Sequence, residues 1–93
     1  MEQVLDHLPG GDLVAEGLAD LGAGRETAAA LLVSIGAPRL RRGGLKVPEP
    51  LADAEHKLYA LISREGSDAA HSRYNALIRR LVSFERALGC VKR

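Results

Sequence analysis

Three histidines (His7, His56 and His71), one cysteine (Cys90) and thirteen bases are the side chains of this 93-residue sequence best equipped for chemistry on a ligand. No two histidines stand at i and i+4, the spacing that sets a pair of imidazoles on one helix face. Only Asp68 and His71, three apart, share a face. One carboxylate and one imidazole fall short of the three or four ligands that zinc takes, and Asp68 is accounted for as a helix cap or dipole partner. No metal and no cofactor is expected. The lone Cys90 excludes an intrachain disulfide and a thiol-rich zinc site. Ser, Cys and His show no spacing that suggests a nucleophilic triad, which leaves Cys90 a bystander. Gly22-Ala23-Gly24-Arg25-Glu26-Thr27 opens a helix and could cradle an anion on its amides. It has no P-loop lysine and no strand before it, so it reads as a turn between helices.

Two short stretches carry a resemblance. Arg64-Glu65-Gly66-Ser67-Asp68-Ala69-Ala70-His71 holds an arginine and a histidine with six residues between them. This resembles the Arg-x(4–6)-His motif of HEPN domains, which are all-helical, dimeric and in many cases metal-independent ribonucleases. The resemblance covers eight residues. It implies His71 as general base for a ribose hydroxyl and Arg64 as the stabiliser of phosphorane charge. The sequence departs from the family at Glu65, where a small polar residue is more usual, and the chain is short for that domain. Read from the residues alone, the two are a solvated arginine and a histidine in the first turn of a helix. Leu8-Pro9-Gly10-Gly11-Asp12-Leu13-Val14-Ala15 looks like a degraded helix-hairpin-helix, the DNA-backbone hairpin built on Leu-Pro-Gly-x-Gly. Asp12 stands where the second glycine belongs, Ala15 comes one position early, and the surrounding acids suit phosphate badly. The helix pair Asp12–Leu21 and Arg25–Ile35 has helix-turn-helix spacing. Its second member offers only Arg25, Glu26 and Thr27 before an apolar run, too few polar groups to read a groove.

Charge is divided along the chain. The net charge is +1, yet residues 1–38 carry six acids and one base while residues 39–93 carry twelve bases and six acids. Opposite halves can lie against each other, within one chain or between two copies, or the basic half can face a polyanion. Arg39, Arg41, Arg42 and Lys46 crowd one segment, and Arg73 and Arg80 border the apolar face of the last helix. These six form a candidate basic docking surface, for an acidic protein or for nucleic acid. No aromatic lies in the segment to stack on a base, so single-strand reading has no support.

The elements that must position these residues are helices. Hydrophobic residues make up 46% of the chain and charged residues 27%, ordinary globular usage for one domain spanning residues 1–93. No stretch alternates in the manner of a strand. A short helix is expected over Glu2 to Leu8, ended by Pro9-Gly10-Gly11. A second runs from an Asp12 cap to Leu21, with Leu13, Leu18 and Leu21 inward and Glu16 and Asp20 in water. A third, Arg25 to Ile35, is apolar nearly all round and belongs in the middle of a bundle. Gly36 to Pro50 reads as a basic Gly/Pro-rich connection, with a single helical turn over Pro38 to Arg42 and with Leu40, Leu45 and Val47 pinning it to the core. Asp53 caps a fourth helix to Arg64, buried along Ala54, Leu58, Leu61 and Ile62. Ser67 or Asp68 caps the last and longest, which closes at Leu88 with Gly89 as its C-terminal glycine.

That last helix is the most informative element. Ala70, Tyr74, Leu77, Leu81, Phe84 and Leu88 recur at spacings of 4, 3, 4, 3 and 4, an apolar seam of coiled-coil type. Ile78 and Val82 widen one flank, while Arg79 and Arg86 point away. A seam broadened in this way packs on its own bundle, against a second copy, or on both. The fold expected is all-α: a small irregular bundle of four main helices. The function expected is a non-enzymatic protein–protein interaction or self-associating module, a homodimer whose contact surface is Tyr74, Leu77, Ile78, Leu81, Val82, Phe84 and Leu88. Nucleic-acid binding by the basic half is the second reading, and HEPN-like ribonuclease chemistry at Arg64 and His71 the third. No basic residue precedes Arg25 and no apolar run is long enough for a membrane span, so a cytoplasmic, reducing compartment and no membrane contact are expected.

Overall fold

The most apolar stretch of the sequence becomes the centre of the molecule. The computed structural model describes residues 8–92, and its regular structure is four helices in contact: α1 (Gly11–Gly22), α2 (Ala28–Arg42), α3 (Ala54–Glu65) and α4 (Ser67–Lys92). No strand occurs among the described residues, as expected of an all-α bundle. The short helix expected over Glu2 to Leu8, and His7 with it, lies outside the described residues apart from Leu8. α2 packs against each of the other three helices. Ala29, Ala30, Leu31, Leu32 and Val33 are all buried, because a helix apolar all round can satisfy every face only from the middle.

α1 begins ahead of the expected Asp12 cap. Gly10, in the left-handed region at φ 74°, is the N-cap, and Val14 N–H donates to its carbonyl at 3.1 Å. Asp12 is therefore inside the first turn. Its carboxylate accepts from the Arg80 guanidinium of α4 at 3.1 Å, where it also complements the positive helix end. Two helices then approach very closely at Gly17: a Cβ built there would stand 2.3 Å from the Ala29 carbonyl oxygen. The corner between α1 and α2 is tied by Asp20, which is buried and does not face water. Its carboxylate accepts from Arg25 Nε at 3.0 Å, from the Arg25 terminal nitrogen at 2.9 Å, and from the Thr27 hydroxyl at 2.7 Å. Thr27 in turn accepts from Ala30 N–H at 3.2 Å, which makes it the side-chain cap of α2. Arg25 is drawn to Asp20 and so stays out of the helix it was expected to begin.

α2 does not stop at Ile35. It runs through Gly36, Ala37 and Pro38 to Arg42. Proline at 38 removes the helix bond to the Ser34 carbonyl, but Gly36, Ala37 and Leu40 are buried on the continuing helical period, and that packing outweighs the missing bond. The segment after Arg42 is fastened as foreseen by Leu45 and Val47, both buried. Arg41 clamps it as well, donating to the Val47 and Pro48 carbonyls at 3.0 and 3.3 Å, and the Ser34 hydroxyl accepts from Leu51 N–H at 3.0 Å.

Asp53 is the N-cap of α3, but through backbone alone: it sits in the left-handed region at φ 53° with no side-chain cap bond. Ala54, Leu58 and Ile62 are the buried stripe, and Leu61 is half-buried beside them. α4 is a single unbroken rod of 26 residues, about 39 Å at helical rise. It continues through Gly89 to Lys92, so Gly89 is not its cap. A glycine ends a helix only by leaving helical conformation, and here one turn anchored by buried Leu88 carries the chain onward. Among the described residues, no helix is long and apolar enough to cross a membrane.

Candidate interaction trough between α2 and α4

The seam of α4 is divided by its surroundings. Ala70, Leu81, Phe84 and Leu88 are buried in the chain's own core, with Phe84 at 0% exposure. Leu81, Phe84 and Leu88, expected as contact surface, are therefore already covered by the bundle. Tyr74, Leu77, Ile78 and Val82 are only half-buried. Tyr74 leans on Tyr59 of α3, ring centroids 5.6 Å apart and tilted by 60°.

Ile78 and Val82 form one wall of an open trough, and the opposite wall is α2 where the expected third helix gives way to the expected Gly/Pro-rich connection. Ile35 and Pro38 face them across a central hollow of about 490 Å³. The two helices meet at its floor, where a Cβ on Gly36 would stand 2.9 Å from Leu81 Cδ1. A second hollow, beside Leu51 and Pro50, shares Ile35, Pro38 and Glu55 with the first. A third, toward the end of α4, shares Arg39, Val82 and Glu85. Sharing these walls, the three make one continuous channel, apolar at Ile35, Pro38, Leu51, Ile78 and Val82 and charged toward Arg42 and Arg86.

Its charges are segregated. At one end stand Asp53 and Glu55, both exposed. Burial first, and then the Glu55 carboxylate, push the Tyr74 phenol up from its ordinary 10.0. Where the first and third hollows meet, Arg39 of α2 reaches Glu85 of α4 at 3.4 Å; the Glu85 side chain is 9% exposed and its partner 70%. At the far end stand Arg42 and Arg86, exposed, around Gly43 and Gly89. Among the described residues neither Arg42 nor Arg86 has a carboxylate partner.

The other expected site residues are dispersed. Of the six docking bases, Arg39 and Arg42 line the trough, Arg41 is consumed by the clamp, and Lys46 is exposed away from these contacts. Arg73 and Arg80 flank a separate hollow of about 310 Å³ floored by Ala28, Ile62 and Leu77. The six do not converge. Arg86, expected to point away, lines the trough instead. Among the described residues, ion pairs join the acidic first half to the basic second from Asp12 to Arg80 at 3.1 Å and from Glu26 to Lys57 at 3.7 Å. Arg64 borders a small depression with Glu26, His56 and Lys57. His71 is exposed on α4, within 3.2 Å of Asn75 Nδ2, and does not line that depression. No three His, Cys, Asp or Glu among the described residues converge on a point. Ile35, Pro38 and Glu85 were missed from sequence. Ile35 and Pro38 stand three apart on one helix face, a signal hidden once the helix was ended at Ile35.

Comparison with protein-family models, with curated proteins and with solved structures finds no match for this chain.

Proposed function

We propose that this chain is a non-enzymatic protein–protein interaction module that self-associates through the α2–α4 trough. The observation that carries the reading is the trough itself: an open channel with Ile35, Pro38, Ile78 and Val82 along it and unlike charges at its two ends. Apolar side chains left half-covered between two helices gain by meeting a second apolar surface, about 25 cal/mol for each Å² removed from water. A second copy supplies such a surface, and its charges complement those already there. The test is sedimentation velocity across a concentration series. Wild type shifts from monomer to dimer, and Val82→Glu stays monomeric with an unchanged far-UV spectrum, because Val82 lies outside the buried core. A wild type that remains a monomer at every concentration overturns the reading.

Nucleic-acid binding is the second reading, favoured by Arg39, Arg42 and Arg86 around one hollow of about 400 Å³. It requires retention on immobilised RNA or DNA that falls steeply with salt. Absence of retention at low salt removes it.

A further inference from the structure

We infer that the second copy lies antiparallel in the trough, related by a two-fold axis near Ile78 and Val82, with Glu55 of each protomer facing Arg86 of the other. This rests on the self-association proposed above and adds its register and its specificity-determining residues.

Charge placement selects that arrangement. Tyr74, which lines the same hollow as Glu55, and Arg86 are twelve positions apart on one helix, about 18 Å at helical rise. That exceeds the Debye length of about 10 Å at 0.1 M salt, so the two ends do not neutralise each other within one chain. Beside the basic end Glu85 is already balanced by Arg39. A copy laid parallel would set acids on acids and bases on bases. A copy rotated by a half-turn sets Asp53 and Glu55 against Arg42 and Arg86 at both ends at once. The pairing is isologous, so the assembly closes at two. It also occupies the groups left without partners, since neither Arg42 nor Arg86 has a carboxylate of its own among the described residues.

A charge swap between copies tests the register. Glu55→Lys and Arg86→Glu are made separately, with Arg42→Glu as a second basic-end variant, and folding of each is checked by far-UV circular dichroism. In sedimentation velocity each single variant meets like charge at both ends of its own dimer. Its dissociation constant rises by about tenfold or more. An equimolar mixture of Glu55→Lys with Arg86→Glu places unlike charges at both ends and returns a heterodimer of wild-type strength, and added salt weakens the wild-type dimer. A wild-type dimer whose variants are unaffected, or whose mixture gains nothing over either alone, overturns the register and leaves self-association standing. A monomeric wild type overturns both.

Discussion

Gly17→Ala adds a single methyl group, and the structure makes it one of the most damaging small changes available. The added Cβ would lie 2.3 Å from the Ala29 carbonyl oxygen, 2.4 Å from Val33 Cγ2 and 2.8 Å from the Ala29 carbonyl carbon. Two of these three atoms are backbone of the central helix, which cannot swing aside as a side-chain tip can. Relief requires α1 and α2 to separate. Overpacking of this kind costs about 1–3 kcal/mol, and contact with helix backbone puts it at the upper end, about 3. Against this, alanine in a helix interior is favoured over glycine by about 1 kcal/mol. The net is a loss of about 2 kcal/mol, which for a chain of this size lowers Tm by roughly 10 °C. Gly89→Ala is the matched comparison. Nothing lies within 4 Å of a Cβ built at Gly89, and α4 runs helically through it. The propensity gain is then unopposed, so this variant is stabilised by about 0.5–1 kcal/mol. Urea denaturation of both variants against wild type measures the pair. A Gly17→Ala protein as stable as wild type refutes the close crossing of α1 and α2. A destabilised Gly89→Ala refutes the continuation of α4 past Leu88.

Two further outcomes are expected. Phe84→Ala truncates the largest of the fully buried side chains, at 0% exposure, and costs about 3–5 kcal/mol, read as a lower urea midpoint; a loss under about 1 kcal/mol would contradict its placement. Asp20 supplies a pH dependence. The Thr27 hydroxyl first, and then Arg25, hold its carboxyl below the ordinary 3.8, with burial opposing them. A carboxyl depressed in the fold stabilises above its unfolded value, and that contribution is lost as pH falls through the lower folded value. Wild type is therefore more stable than Asp20→Asn at neutral pH, and the gap narrows as the pH is taken below 3.8; thermal melts from neutral pH into acid check the sign, and a gap that widens in acid refutes the Asp20 bonds.

What the sequence alone determined is whatever depends on neighbours along the chain. Helical periodicity marked the four helices and the absence of strands, because a 3.6-residue repeat of apolar side chains is a local property. It also marked the central place of the Ala28 to Ile35 run, the seam of α4, and the pinning role of Leu40, Leu45 and Val47. Contacts distant in sequence settle the places where local rules meet an opposing term of similar size. Pro38 and Gly36 argue locally for a helix end, yet α2 continues to Arg42 because Ala37 and Leu40 are buried against neighbours far off in sequence. Gly89 argues for a cap, but no neighbour forces the chain to turn there. Asp20, polar and unremarkable in a string, is drawn inward because Arg25 and Thr27 fold back over it. The trough has the same origin: Ile35 and Pro38 come from one helix, Ile78 and Val82 from another, forty or more positions apart. Their facing one another depends on how two helices cross, and a crossing is set by side chains from both at once.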